Sequence, residues 1–488
     1  MTHTVASPVI DVSELHLPVI ADQAADAIDS GNVPPVLFRY GSIPVRIEMD
    51  GEVPAIRTVT VDILRHHLAR WASWSRYSAR AKTHVSIAPP DVVVRDLLAS
   101  PDLALPRLQR IVYAPAFDRD GTLCRTPGYN GSNGGIFYAA TSDLHALNLD
   151  MTLDEARGLI LNELLGDFPF TGDAERAHAV ALLLLPFVRD LIDGPTPLHL
   201  IEKPSAGTGG TLLATALLWP ALGRDVAMMT EGRDEDEWRK RLIAKLGTSP
   251  IVTVIDNLRR RLDSAALASI LTARTAEDRL LSTSTIMTVP VTCAWVATGN
   301  NPALSNEITR RTVRIRLDAH VDRPWLRGGF RHPDLRGWMQ EHRADLVAAA
   351  LVIVGRWFDA GRPRGAKRMG QFEAWSETMG GILVHAGIPG FLDNLIDFYD
   401  ASDDETATWT AFVQAWADRH GYAAVGVGDL FGLVTADLPL DLGDNGERSQ
   451  RTKLGKLVSA MRDRCIAGHR IVASSPVKGT ARWRLTPS

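Results

Sequence analysis

The spacing of apolar and polar positions changes character near Thr152. Before it, apolar residues come in short alternating runs. Residues 35–46 (PVLFRYGSIPVR) and 56–61 (IRTVTV) carry the β-branched and aromatic side chains of strands. Residues 62–76 read as an amphipathic helix, and 91–100, opened by Pro89 and Pro90, as another. Between Ile111 and Tyr138, Gly, Asn and Asp cluster at 118–121, 127–129 and 130–135, which predicts short strands joined by tight turns. After Thr152, two helices at about 152–165 and 174–192 lead into five apolar runs of strand length, at 198–202, 225–230, 251–255, 291–297 and 312–317. Helical segments separate most of these runs, so the fold class expected is α/β, with a mostly parallel sheet covered by helices. Residues 333–399 read as all-helical, and a small terminal module follows Asp404. The division expected is therefore 1–84 (small α+β), 85–150 (β-rich), 151–404 (sheet and helices) and 405–488.

Length and composition narrow the picture only a little. A chain of 488 residues holds about three domains. The net charge of -4 excludes a globally basic nucleic-acid coat, though not a local basic patch. Cys124, Cys293 and Cys465 lie far apart, which supports neither a zinc site nor a disulfide framework. The most apolar stretch, 179–188 (AVALLLLPFV), is too short to cross a bilayer and contains a proline, so it reads as a buried helix. The first residues, MTHTVASPVIDVSEL, lack a basic segment followed by an apolar run. A cytoplasmic protein with no membrane partner is expected.

The candidate chemistry begins where the first of the five strands runs into Lys203-Pro-Ser-Ala-Gly-Thr-Gly-Gly-Thr211 and then a helix. Strand, Gly-rich turn and helix is the context of a phosphate-binding loop. Glycines let several N–H groups converge on one anion, and the helix N-terminus adds its dipole. Gly207, Thr208, Gly209, Gly210 and Thr211 are the expected nucleotide contacts, with the Thr211 hydroxyl placed to hold Mg²⁺. In GxxxxGK[ST] the first Gly is here Pro204 and the Lys is here Gly210. The lost charged contact predicts weaker nucleotide binding by about one to two powers of ten. Lys203 is the candidate substitute; the other reading leaves it facing solvent ahead of the turn.

Three further groups follow in order. An apolar strand ends in Asp256-Asn257, where Asp256 would hold Mg²⁺ and Asn257 stands in place of the usual catalytic Glu. Asparagine can orient a water but cannot take its proton. A second apolar strand ends Ala-Thr-Gly-Asn300-Asn301, and Asn301 is the expected sensor of the attacking water. Arg310 and Arg311 precede the fifth strand, where an oligomeric ATPase presents an arginine finger to its neighbour. Arg314 and Arg316 read as a solvated basic face. Glu235 and Glu237 are remote candidates for the missing carboxylate, with surface solvation as their blander role. Arg259–Arg261 read equally as a DNA contact or a solvated face. Trp325, Trp338, Trp357 and Trp375 are expected to anchor the core.

At these residues the sequence resembles the superfamily 3-type AAA+ helicases of phages, plasmids and integrative elements, the ATPase halves of primase-helicases. The shared features are the GTG-T loop, the strand-Asp, the ATGNN strand and the double Arg. The segment 114–130 (APAFDRDGTLCRTPGYN) resembles their pre-helicase region. The resemblance covers about residues 85–400. It implies an AAA+ P-loop NTPase core with strand order 5-1-4-3-2, a helical lid, ATP and Mg²⁺ as cofactors, and a homo-oligomeric ring. The function implied is a DNA-associated helicase-like ATPase in the replication of a mobile element. Gly210 and Asn257 depart from the pattern and favour the alternative, a non-hydrolysing nucleotide-dependent assembly or DNA-docking protein. Residues 448–484 add a basic run: Arg448, Arg451, Lys453, Lys456, Arg462, Arg464, Arg470, Lys478, Arg482 and Arg484, opposed by Asp463. A helix at 453–465 followed by strands at 469–473 and 482–485 reads as a winged-helix-like DNA-binding module with Lys478 at the wing tip.

Overall fold

The computed structural model describes residues 7–487 apart from 14–15, 52, 102, 132–133, 145, 280–285, 403, 435–439, 441, 443–445 and 478–479. Two compact units divide the chain, Met1–Leu395 and Ile396–Ser488.

The first unit is built around five strands: β1 (Leu198–Lys203), β2 (Met228–Met229), β3 (Val252–Leu258), β4 (Ala294–Asn300) and β5 (Thr312–Arg316). They lie in the order β2-β3-β4-β1-β5, and every neighbouring pair is parallel. β1 is flanked on both sides, which is why its residues Leu198–Ile201 are buried without alternation. β2 keeps only two residues of the apolar run expected there. Helices α1 (Asp173–Val188), α2 (Gly210–Leu222), α3 (Arg343–Asp359) and α4 (Glu373–His385) share one core with the sheet. The 179–188 run is indeed a buried helix segment, inside α1. Between Ala265–Leu271, a short helix, and β4 stands an antiparallel hairpin, Thr275–Arg279 with Ile286–Pro290, that the alternation did not announce.

The β-rich segment does not stand apart from this core. Ile111, Tyr113, Phe117 and Leu144 pack into it. Arg343, 2% exposed, fastens the join: its guanidinium donates to Asp143 Oδ2 at 2.8 Å, to Tyr113 O at 2.8 Å and to Pro220 O at 3.2 Å. Upstream, a second core of Ile10, Ala24, Ile28, Leu64, Leu68, Trp74, Val93 and Leu97 joins three helices to a small sheet. The helix read at 62–76 ends at Trp71, and Ser73–Ser78 is a strand.

In the second unit, helices Asp404–His420, Val427–Phe431 and Glu447–Ala460 accompany a four-stranded antiparallel sheet. Trp409, Phe412, Trp416, Leu454, Val458, Ile471, Trp483 and Leu485 form its core. The last helix begins six residues before the expected start, and the two long strands, His469–Val477 and Thr480–Pro487, extend beyond the runs read from sequence. Lys478, the expected wing tip, lies outside the described residues. No helix among the described residues is long and apolar enough to cross a membrane.

Candidate functional site

Parallel strands gather their C-terminal ends on one edge of the sheet, and the chemistry collects there. β1 ends at Lys203. The backbone then turns with Gly207 at φ 82° and Gly209 at φ 99°, a left-handed region that L side chains rarely adopt, so glycine is required at both. α2 starts at Gly210, with Gly209 as its N-cap. Thr208 is buried in the turn, its hydroxyl donating to Ser205 O at 2.9 Å. A Cβ on Gly207 would lie 2.9 Å from Trp325 Cβ. Trp325 is 60% exposed and therefore no core anchor; its place is beside the loop. Trp357 and Trp375 are buried as expected, while Trp338 stacks between His332 and His342.

β3 brings Asp256 to the same edge. Asp256 Oδ1 accepts from Thr298 Oγ1 at 2.6 Å and lies 3.4 Å from Thr211 Oγ1. Carboxylate and hydroxyl oxygens at one mouth are hard donors of the kind Mg²⁺ takes. The β3–β4 register shifts between Ile255 and Leu258. Within that irregularity Asn257 adopts φ 59° and donates its N–H to Thr298 Oγ1 at 2.9 Å. Asn tolerates this backbone better than Glu does, which gives position 257 a conformational reason for its residue. Lys203 is half-buried. Burial pulls its ammonium below the usual lysine range, while the Asp256 charge opposes that shift.

Asn301, the expected sensor, has its backbone and side chain engaged at the strand ends. Asn301 stands just past β4 at φ 39°, donates its N–H to Lys203 O at 3.0 Å and accepts at its side-chain oxygen from Arg316 Nη1 at 3.3 Å. It pins the strand ends together. On β4, side chains two apart share a face, so Asn300 lies on the face of Thr298, which meets Asp256. Arg316 and Arg314 are not a solvated face: Arg316 Nη1 donates to Glu202 Oε1 at 2.5 Å, and Arg314 lies 3.9 Å from both Glu202 and Glu175.

Arg310 and Arg311 part company. Arg311 is buried, donates to Glu307 O at 2.7 Å and pairs with Glu307 Oε1 at 3.3 Å; Arg310 is exposed. Leu198 N donates to Arg311 O, which places this pair at the start of β1. The loop lies at its other end, about 17 Å away at strand rise. Glu235 caps the helix Ala265–Leu271 through Ala265 N, Ala266 N and Ser264, and Glu237 is taken by Arg233 N and Arg241. Arg259 and Arg260 direct their backbone N–H groups at Glu231. The residues brought together are thus Lys203, the Gly207–Thr211 loop and Asp256, with Thr298 and Asn300 added by the structure.

Neither a protein-family model nor a curated protein matches this chain. Among solved structures, an apo form of the NrS-1 C-terminal region aligns over 90% of this chain and 96% of its own, at 10% identity and a TM-score of 0.36. The SCCmec type IV Cch helicase aligns over 91% of this chain and 90% of its own, at 12% identity and a TM-score of 0.35. JCV helicase aligns over 55% and 72%, at 16% identity and a TM-score of 0.20. Superpositions this loose leave the functional reading to the site itself.

Proposed function

We propose that this chain is an ATP-binding AAA+ protein of helicase-like design that works on DNA. The observation that carries the reading is the meeting of Asp256 and Thr211 oxygens, 3.4 Å apart, at the mouth of a glycine turn that opens helix α2. The first-turn N–H groups of a helix have no intrahelical acceptor, and here they open toward that mouth. Asp256 and Thr211 would hold Mg²⁺, which when bound neutralises phosphate charge. Thr298 fixes the Asp256 carboxylate, and Asn300 faces the same space. Arg310, exposed and remote from its own loop, suits a finger offered to a neighbouring copy in a ring. Residues 1–84 and 85–150 would be accessory parts, 151–404 the ATPase core with its helical lid, and 405–488 a winged-helix-like DNA module. The exposed Arg448, Lys456, Arg470 and Arg484 support that last assignment.

Within this reading, one observation favours nucleotide-dependent assembly or DNA docking over rapid turnover in replication. Asn257 replaces the usual carboxylate, and Glu235 and Glu237 are committed to a helix cap and to Arg241. The deciding experiment measures Mg²⁺-dependent ATP binding together with steady-state hydrolysis, with and without single-stranded DNA. Binding with slow hydrolysis is expected. Brisk turnover would restore the helicase reading, and no binding would remove the nucleotide site altogether.

A further inference from the structure

The glycine at position 210 creates room. A Cβ built there would lie 3.1 Å from Lys203 Nζ, 3.2 Å from its Cδ and 3.4 Å from its Cε. The Lys203 side chain therefore crosses back from the end of β1 and lies over the first residue of α2. A phosphate-loop lysine standing at 210 would begin in that same volume. Lys203 is half-buried, and its backbone is clamped: Lys203 O accepts from Asn301 N at 3.0 Å, and the residue pairs in register with Asn300 of β4. A half-buried ammonium lying over the first residue of α2, where the first-turn N–H groups begin, is poised for an anion.

We infer that the phosphate-binding cation of this site has moved from the loop to the strand: Lys203 binds the terminal phosphates of ATP, and Gly210 is the residue that admits it. The inference rests on the nucleotide-site reading above and deepens it. Lysine serves phosphate as a point charge on a flexible stem, so an approach from the strand side delivers the same interaction as one from the helix. Gly210 and Lys203 then form one functional pair. Restoring lysine at 210 alone would place two cations in one pocket.

The test is a double-mutant cycle read by direct binding, with MgATP and with inorganic triphosphate as probes, at constant Mg²⁺ and checked for folding by thermal melts. Lys203→Met keeps the aliphatic stem and removes the charge; it is expected to weaken both probes by the same factor, about ten- to a hundredfold. Gly210→Ala sets a methyl against Lys203 Nζ, Cδ and Cε, displacing the ammonium, and is expected to weaken binding severalfold in the wild-type background but not in Lys203→Met, which has no ammonium to displace. The pair Lys203→Met with Gly210→Lys should recover most of the lost affinity. If wild type binds MgATP and Lys203→Met binds as well or better, Lys203 is merely a counter-ion of Asp256 and the inference is overturned. Equal effects of Gly210→Ala in both backgrounds would overturn it as well. A folded wild type that binds neither probe removes the nucleotide site itself, and the inference with it.

Discussion

Thr298→Val probes how the site's acid is held. The Thr298 side chain is almost fully buried, and valine keeps its shape. The hydroxyl donates to Asp256 Oδ1 at 2.6 Å and accepts from Asn257 N at 2.9 Å. A hydrogen bond to a charged group contributes about 1.5–3 kcal/mol and a neutral one about 1 kcal/mol. Asp256 is half-buried and water can replace part of the loss, which sets the expected cost at roughly 2–3 kcal/mol. The unit that unfolds spans Met1–Leu395, so at about 2.1 cal/mol/K per residue its unfolding entropy is roughly 0.8 kcal/mol/K. The cost then lowers the melting temperature of that unit by about 3 °C. Thr298→Ser retains the hydroxyl and loses one methyl, about 0.8 kcal/mol or 1 °C. Scanning calorimetry that resolves the two units measures both shifts, and a Mg²⁺ titration of ATP binding measures the aim of the carboxylate. Valine should weaken the metal dependence and serine should leave it. Identical melting and identical metal dependence for the two variants would mean that Thr298 does not orient Asp256.

Three further outcomes are expected. Asn257→Gly should leave stability unchanged or raise it, whereas Asn257→Glu should lower it by about 1 kcal/mol because of the left-handed backbone, read by urea denaturation; a Glu variant as stable as wild type would remove the conformational reason for Asn257. His178 is fully buried, hydrogen-bonded at Nδ1 to Arg314 O at 2.7 Å and at Nε2 from Leu392 N at 3.1 Å, and burial pushes its pKa down to about 4. Its unfolded value is higher, so the unfolded chain takes up the proton first as pH falls: the stability it contributes is complete above about pH 6.5 and is lost toward pH 4, by roughly 3 kcal/mol. Denaturation midpoints across that window check the slope, which His178→Gln should flatten. Neutralising the exposed Arg448, Lys456, Arg470 and Arg484 together to Gln should weaken DNA binding and make the salt dependence of log K shallower by up to about 3–4 units; an unchanged slope would take DNA contact away from these residues.

Much of the fold was open to sequence reading because its signals are local and repeated. Each core strand is a short apolar run with a turn after it, and each covering helix is long enough for its apolar face, or its whole circumference in α2, to show. Signals failed where the chain uses tertiary contacts instead. The 275–290 hairpin pairs two segments across a polar run, so its strands carry little alternation of their own. The β-rich segment at 85–150 reads as separate, yet Arg343, 230 residues beyond Tyr113, binds it to the core. An arginine in an apolar helix gives no hint from sequence which carbonyls it will reach.

The site was legible as a set of positions, while space and backbone angle were not. Motif reading assigns function by residue type at a fixed index, so Gly210 registered as a missing lysine and Asn257 as a missing glutamate. Neither reading can see space or backbone angle. At 257 the register shift between β3 and β4 imposes φ 59°, so a residue that accepts that angle belongs there whatever its catalytic merit. At 210 the relevant quantity is the distance to a side chain seven positions earlier, and only the turn through Gly207 and Gly209 makes that distance short. Arg310 and Arg311 make the same point in reverse. They are adjacent and chemically identical, but the helix Asn306–Thr309 ends so that one side chain folds back on Glu307 and the other emerges. Neighbours of one type are separated by direction alone, and direction is set by how the chain leaves one element and enters the next.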